Sequence, residues 1–249
     1  MEPIPIQKLM PAALSAATQP IQAPTKLRTS IEEFFLGFQL VGNESESDRA
    51  ELLAMKDAVM RWLNDIADNR QPPRWLTLCG LPGVGKTFLA KMARDWLKQY
   101  GRWIFEHKVR PELDPSFENY LTLFGYAQEG GYFFKWSRML DTMRDGDFGH
   151  LNLVARGWVR IIDDLGAESR GADGSPTSFA IGTMAKLADR RVQKWTLITS
   201  NFGRRSIAEL FDSRVASRMM RDGGEIIECS AIDYNLRCEQ ARPQRTTKP

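Results

Sequence analysis

Apolar positions along the chain follow two rhythms in turn, and this alternation predicts the fold class. Leu52, Met55, Val59, Trp62 or Leu63, and Ile66 recur at helical spacing. Asp48, with Glu51 three positions on, has the form of a capping box opening this helix, and the proline-containing run 69–73 closes it. A continuous apolar strand is predicted at 75–79. A glycine-rich loop follows, then a helix over 86–100 with a Leu89, Met92, Ala93, Trp96 and Leu97 stripe. Further on, the pattern predicts strands at 103–106, 157–163 and 195–199, with helices at 133–144 and 177–191. Helical stretches at 206–211 and 212–221 precede a last strand at 225–229. Strands that alternate with helices imply an α/β fold with a parallel sheet covered on both faces.

The ends depart from this rhythm. Residues 1–30, rich in Pro, Ala, Gln, Ser and Thr, read as a flexible N-terminal arm with a short helix around 12–18. The cluster Ile31, Phe34, Phe35, Leu36 and Phe38 either docks on the folded domain or serves as a partner-binding peptide. Docking is favoured because large apolar side chains are usually buried. Residues 110–131, with two prolines and several aromatics, read as an insertion, and 239–249 as a basic disordered tail. A chain of 249 residues suits one α/β domain, here 31–238, better than two.

Composition narrows the function classes. Hydrophobic residues at 43% and charged residues at 26% are ordinary for a soluble domain. No apolar run approaches the roughly 20 residues that span a bilayer, so no membrane association is expected. Glu2, Pro3, Pro5 and Pro11 stand where a signal peptide needs a basic start and an unbroken apolar stretch, which points to a cytoplasmic protein. Cys79, Cys229 and Cys238 contain no C-x-x-C pair, which argues against both a disulfide framework and a zinc site. Cys79 and Cys229 lie in predicted strands and read as core residues. His107 and His150 lack ligand-like neighbours. A net charge of +3 is too weak to argue nucleic-acid binding by itself, although Arg204, Arg205, Arg214, Arg218 and Arg221 crowd one stretch.

The loop after the first strand carries the most specific chemistry. Gly80-Leu81-Pro82-Gly83-Val84-Gly85-Lys86-Thr87 matches G-x-x-x-x-G-K-[ST] between a predicted strand and a predicted helix. Glycines let the backbone N–H groups wrap phosphate oxygens, and the following helix adds its positive dipole end. Lys86 is placed to reach the β- and γ-phosphates of ATP, and the Thr87 hydroxyl to ligate Mg2+; Phe88 continues the binding segment. The apolar run 158–162 ends in Asp163 and Asp164, at the strand end where open α/β sheets bind ligands. Asp163 is the candidate Mg2+ carboxylate, and Asp164 the candidate general base for the attacking water. Turn formation helped by Gly166 is the other reading of this pair. Asn201 closes the strand 195–199 in a polar trio, positioned either to bond the γ-phosphate and water or to make a turn before Gly203. Arg214 and Arg218, four apart, share a helical face; a solvated basic face is the default, and a neighbouring subunit's transferring phosphoryl group the alternative.

Together these motifs resemble an AAA+ ATPase of the DnaC/IstB type, a group of bacterial and phage replicative helicase loaders and transposition helper ATPases. The resemblance covers about residues 30–238. It is carried by 80–87 (Walker A), Ile161-Ile162-Asp163-Asp164-Leu165-Gly166 (Walker B), Thr199-Ser200-Asn201-Phe202 (sensor 1), the box 213–219 and the segment 233–237. It implies an AAA+ P-loop core without a large C-terminal lid domain, and an ATPase that self-associates with its site shared between subunits. Arg218 would be the arginine finger, Arg214 its support, and Arg237 a second sensor contacting nucleotide. It also implies a replicative helicase and single-stranded DNA as partners. Phe134, Lys135, Trp136, Arg138 and Arg144 combine charge with aromatic faces as single-strand binding requires, although such a stripe is more often core packing. The sequence departs from the family in its short region before the core and in the extra stretch 110–131. Other readings are a transposition helper, a small-molecule P-loop kinase that would leave Arg214 and Arg218 unexplained, and a nucleotide-gated scaffold with little turnover.

Overall fold

The computed structural model describes residues 27–42, 44–69, 71–104, 108, 132–167 and 175–241. Five strands, β1 (Trp75–Gly80), β2 (Phe133–Lys135), β3 (Val159–Leu165), β4 (Trp195–Ser200) and β5 (Glu225–Cys229), form one sheet in the order β2-β3-β4-β1-β5. All neighbours pair in parallel. The expected α/β class, a parallel sheet flanked by helices, is therefore the fold observed. Beyond β5 the described residues add one helix, α9 (Tyr234–Ala241), and no large lid domain.

Period-two alternation explains how each strand serves two layers. Leu76, Leu78, Val159, Ile161, Trp195 and Leu197 join the cluster under α1 (Leu27–Phe35), α2 (Glu46–Asp68) and α3 (Lys86–Ile104). Trp75, Cys79, Ile162, Leu165 and Ile198 join the opposite cluster. That second layer holds α4 (Trp136–Arg144), α5 (Gly149–Arg156), α6 (Ser178–Arg190), α7 (Arg204–Leu210) and α8 (Ser213–Met219). Both cysteines read as core are buried, and burial pushes the Cys79 thiol up to about 12. Such a thiol is inert.

Several local expectations are corrected. The N-cap of α2 is Ser45, whose hydroxyl accepts from the Asp48 amide at 3.0 Å, so Asp48 lies inside the helix and not at its cap. Trp103 and Ile104, the described part of the strand expected at 103–106, instead end α3, where Ala93, Trp96, Leu97 and Ile104 continue one buried helical face. Residues 105–107 lie outside the described residues. The helix expected from 133 begins at Trp136, because Phe133–Lys135 pairs with β3 as an edge strand. Trp136 is fully buried and Phe134 partly so, making them core rather than a base-stacking face. Ile31 and Phe35 are fully buried, so the apolar cluster docks, and its helix begins at Leu27 inside the stretch read as an arm. Residues 1–26, 109–131 and 242–249, including most of the expected arm, insertion and tail, lie outside the described residues.

Two fully buried arginines were not anticipated. Arg191 donates from Nη1 to the carbonyls of Val154 (2.6 Å) and Gly157 (2.9 Å), from Nη2 to Trp195, and from Nε to the Thr196 hydroxyl. Arg160 donates to the Leu153 and Val159 carbonyls, and Lys194 to that of Ala155. Three cations thus hold the carbonyls of Leu153, Val154 and Ala155 at the end of α5, where the helix dipole is negative. Desolvation lowers Arg160 to about 10 and drives Arg191 well below its ordinary value, with Arg160 adding to the latter. Gly157 is required here: a Cβ would lie 1.7 Å from the Arg160 guanidinium carbon.

Candidate nucleotide site

The strand order brings three strand ends together. β4 lies between β1 and β3, so Thr199, Ser200 and Asn201 emerge between the loop after β1 and the acid pair of β3. Asp163 is fully buried, and its Oδ1 accepts from the hydroxyls of Thr87 (2.8 Å) and Thr199 (2.7 Å). Its Oδ2 is buried without a hydrogen-bond partner. One carboxylate thus ties the start of α3 to the ends of β3 and β4.

The loop 80–87 takes the conformation its glycines permit. Gly83 and Gly85 have φ of +77° and +102°, angles that β-carbon sterics disfavour. Gly80 approaches β5 so closely that a Cβ would lie 1.9 Å from the Cys229 carbonyl oxygen. Val84 packs into the core, while Leu81 and Phe88 are about half exposed. Lys86 is buried and donates from Nζ to the Gly80 and Leu81 carbonyls at 2.8 and 2.7 Å. Desolvation lowers its pKa, against the pull of Asp164.

β3 and β4 lose register between Ile162 and Leu165, and Asp164 occupies this irregularity with φ +59°. Its amide donates to Thr199 Oγ1 at 2.9 Å, which turns the side chain away from the ladder toward the cavity. Desolvation first, and the adjacent Asp163 second, hold its carboxyl above the ordinary range. Asn201 lines the same cavity.

That cavity, about 560 Å³, runs from Lys86, Thr87, Asp164 and Asn201 to a second wall built by Gly37, Phe38, Gln39 and Leu40. Tyr234 and Arg237 of α9 complete it. The Tyr234 amide donates to the Gly83 carbonyl at 3.0 Å, and Asp233 lies where a Cβ on Gly83 would go. The contribution of the α1–α2 linker and of Thr199 was missed from sequence. Phe38 reads from sequence as one more apolar residue, and Thr199 as the first residue of the strand-end motif, with no sign of its bonds to Asp163 and to the Asp164 amide.

The structure brings together Gly80–Phe88, Asp163, Asp164, Asn201 and Arg237 in this one region. Arg214 and Arg218 are elsewhere. Arg214 is 81% exposed and paired with Asp212 at 3.0 Å, whereas Arg218 is 28% exposed and paired with Asp189 on α6. Arg218 shares a shallow pocket with Pro73 and Trp75, at the start of β1. Five strand steps, roughly 17 Å, separate Trp75 from the loop that begins at Gly80.

No model of a known protein family matches the chain, and no curated protein matches it. Among solved structures it is similar to AMPPCP-bound DnaA from Aquifex aeolicus, at 14% identity and TM-score 0.47, covering 75% of this chain and 47% of that one. It is similar to domain III of the Thermotoga maritima replication initiation protein DnaA at 17% identity and TM-score 0.42, covering 70% and 61%. A third, replication initiator DnaA bound to AMPPCP and single-stranded DNA, gives 14% identity and TM-score 0.46, covering 79% and 50%. The chain spans about half to three-fifths of these neighbours. At such values the site's chemistry rests on the chain's own residues.

Proposed function

We propose that the chain is an AAA+-type, ATP-binding and ATP-hydrolysing switch whose site is completed by a second copy. The observation that carries this reading is Asp163, whose one oxygen holds Thr87 and Thr199 while the other is buried and unpartnered. A hydroxyl and a carboxylate oxygen side by side suit a small, hard divalent cation, so Thr87 and Asp163 fit Mg2+. Bound there with ATP, Mg2+ would neutralise charge developing on the transferred phosphoryl group. Lys86 would exchange its two carbonyl partners for phosphate oxygens, a charge-assisted bond stronger than those it gives up. Asp164, with its raised pKa, accepts a proton from the attacking water, and Asn201 orients that water. Phe38, Leu40 and Tyr234, which line the rest of the cavity, would be available to the base with phosphates held at Lys86.

Arg218 lies at the far end of β1 from its own loop, which supports a role on another copy's phosphates, with Arg214 at its side. The resemblance of the motifs to helicase loaders supplies the partners: a replicative helicase and single-stranded DNA, in the cytoplasm. No helix among the described residues is long and apolar enough to cross a membrane.

Titration with a fluorescent ATP analogue and Mg2+ tests the site. Wild-type chain is expected to bind, and Lys86→Ala to lose affinity at least tenfold; binding unaffected by Lys86→Ala would overturn the reading. Phosphate release with and without single-stranded DNA tests turnover. Retention of a hexameric replicative helicase in the presence of ATP tests the loader role, which no retention would refute.

A further inference from the structure

The wall opposite the phosphate loop comes from two segments far apart in sequence, and one side chain joins them. Glu44 accepts from the amides of Val41 (2.6 Å) and Gly42 (2.8 Å) and from Nη1 of Arg237 (3.0 Å). The Glu44 and Arg237 side chains are 1% and 5% exposed. Desolvation would raise the Glu44 carboxyl, yet the amide bonds and Arg237 hold it below its ordinary range. It is therefore ionised in the folded chain and gives a charge-assisted bond at each contact.

Each contact leads back to the cavity. The gripped amides close the linker immediately after Gly37, Phe38, Gln39 and Leu40, which line one wall. Arg237 lines the other, on a helix already tied to the Gly83 carbonyl through the Tyr234 amide. Arg237 and Lys86 are the cations facing this cavity among the described residues, and Glu44 itself does not line it. A long arginine loses much rotamer freedom when held, so a partner that fixes it beforehand lowers the cost of binding an anion.

We propose that Glu44 is a positioning residue of the nucleotide site: it presets both the α1–α2 linker and Arg237 on the walls that a bound nucleotide would touch. The inference rests on the nucleotide reading of the cavity. Glu44 acts through its neighbours and touches no ligand.

The test is a double-mutant cycle on affinity for a fluorescent ATP analogue and for ADP, using Glu44→Ala, Arg237→Ala and the pair, with thermal midpoints recorded beside each. Each single change is expected to weaken the triphosphate about tenfold. The pair should be little worse than either single change, because both remove the same preset arginine. Glu44→Gln, which keeps an acceptor for the two amides, should recover the linker's share and bind between Glu44→Ala and wild type. Multiplicative losses, about a hundredfold in the pair, would overturn the proposal. So would a Glu44→Ala chain that has a lowered midpoint but unchanged affinities. Wild-type chain that binds no nucleotide would instead refute the nucleotide reading itself, a result recognisable before any variant is compared.

Discussion

Asp164 combines a left-handed backbone with a carboxyl whose pKa is raised, and the two properties make separate predictions. The raised pKa favours the protonated form in the folded chain. Its contribution is therefore complete below the ordinary value of 3.8 and is lost as pH rises through the folded value. At neutral pH the charge is a burden on the fold. Asp164→Asn removes that charge and keeps a residue tolerant of φ +59°. Its thermal midpoint at pH 7 should rise, while phosphate release falls by about 10²–10⁴, the usual worth of a general base. Glu44 runs the other way. Its lowered pKa contributes stability that is present above its ordinary 4.5 and is lost as pH falls through the folded value. Glu44→Gln should flatten the acid side of the stability–pH curve measured by denaturant unfolding. Gly157→Ala drives a methyl into the Arg160 guanidinium and should cost about 1–3 kcal/mol in the same assay.

At the scale of elements, what could be read from sequence followed the length and periodicity of each segment. β1, β4, β5 and the helices α2 and α6 repeat one pattern for long enough to be placed within a residue or two. β2 has three residues, shorter than any period-two signal, and it merged with the amphipathic start of α4. Trp103 and Ile104 favour strands by type, but the helical stripe already running through α3 decided their state. That the loop 80–87 and the acid pair belong to one place was legible, because tight glycine turns and adjacent carboxylates are marked in short local strings. The opposite wall was not, because its joint lies between Glu44 and Arg237, 193 residues apart. The docking of α9 on the loop is testable at this scale. Gly83→Ala sets a methyl against the Asp233 carboxylate and a side chain at φ +77°. Nucleotide affinity should fall at least tenfold by titration, with the midpoint lowered by no more than a few degrees.

For the whole molecule, the decisive relation is between the two ends of β1. On the nucleotide reading, the loop 80–87 leaves one end of β1 while Arg218 rests near the other, so Arg218 would serve the nucleotide of a second copy. Arg218→Ala should retain ATP-analogue affinity and lose turnover by about 10³ or more. Mixing it with Lys86→Ala chain should restore part of the phosphate release, because each variant supplies the half the other lacks. Specific activity of the wild type should also fall on dilution, as subunits separate.

The arginines that close the end of α5 have a consequence for digestion. Arg160 and Arg191 each precede a peptide bond that a trypsin-like protease would recognise, yet both side chains are wholly enclosed. A protease must insert the arginine in its own pocket before it can cut. Cleavage after either residue therefore waits for the joint between α5, β3 and β4 to come apart. When protease is scarce, the rate of those two cuts reads the population of opened molecules; when it is abundant, it reads how often they open. The residues that lock this corner of the fold thus also serve as its clock.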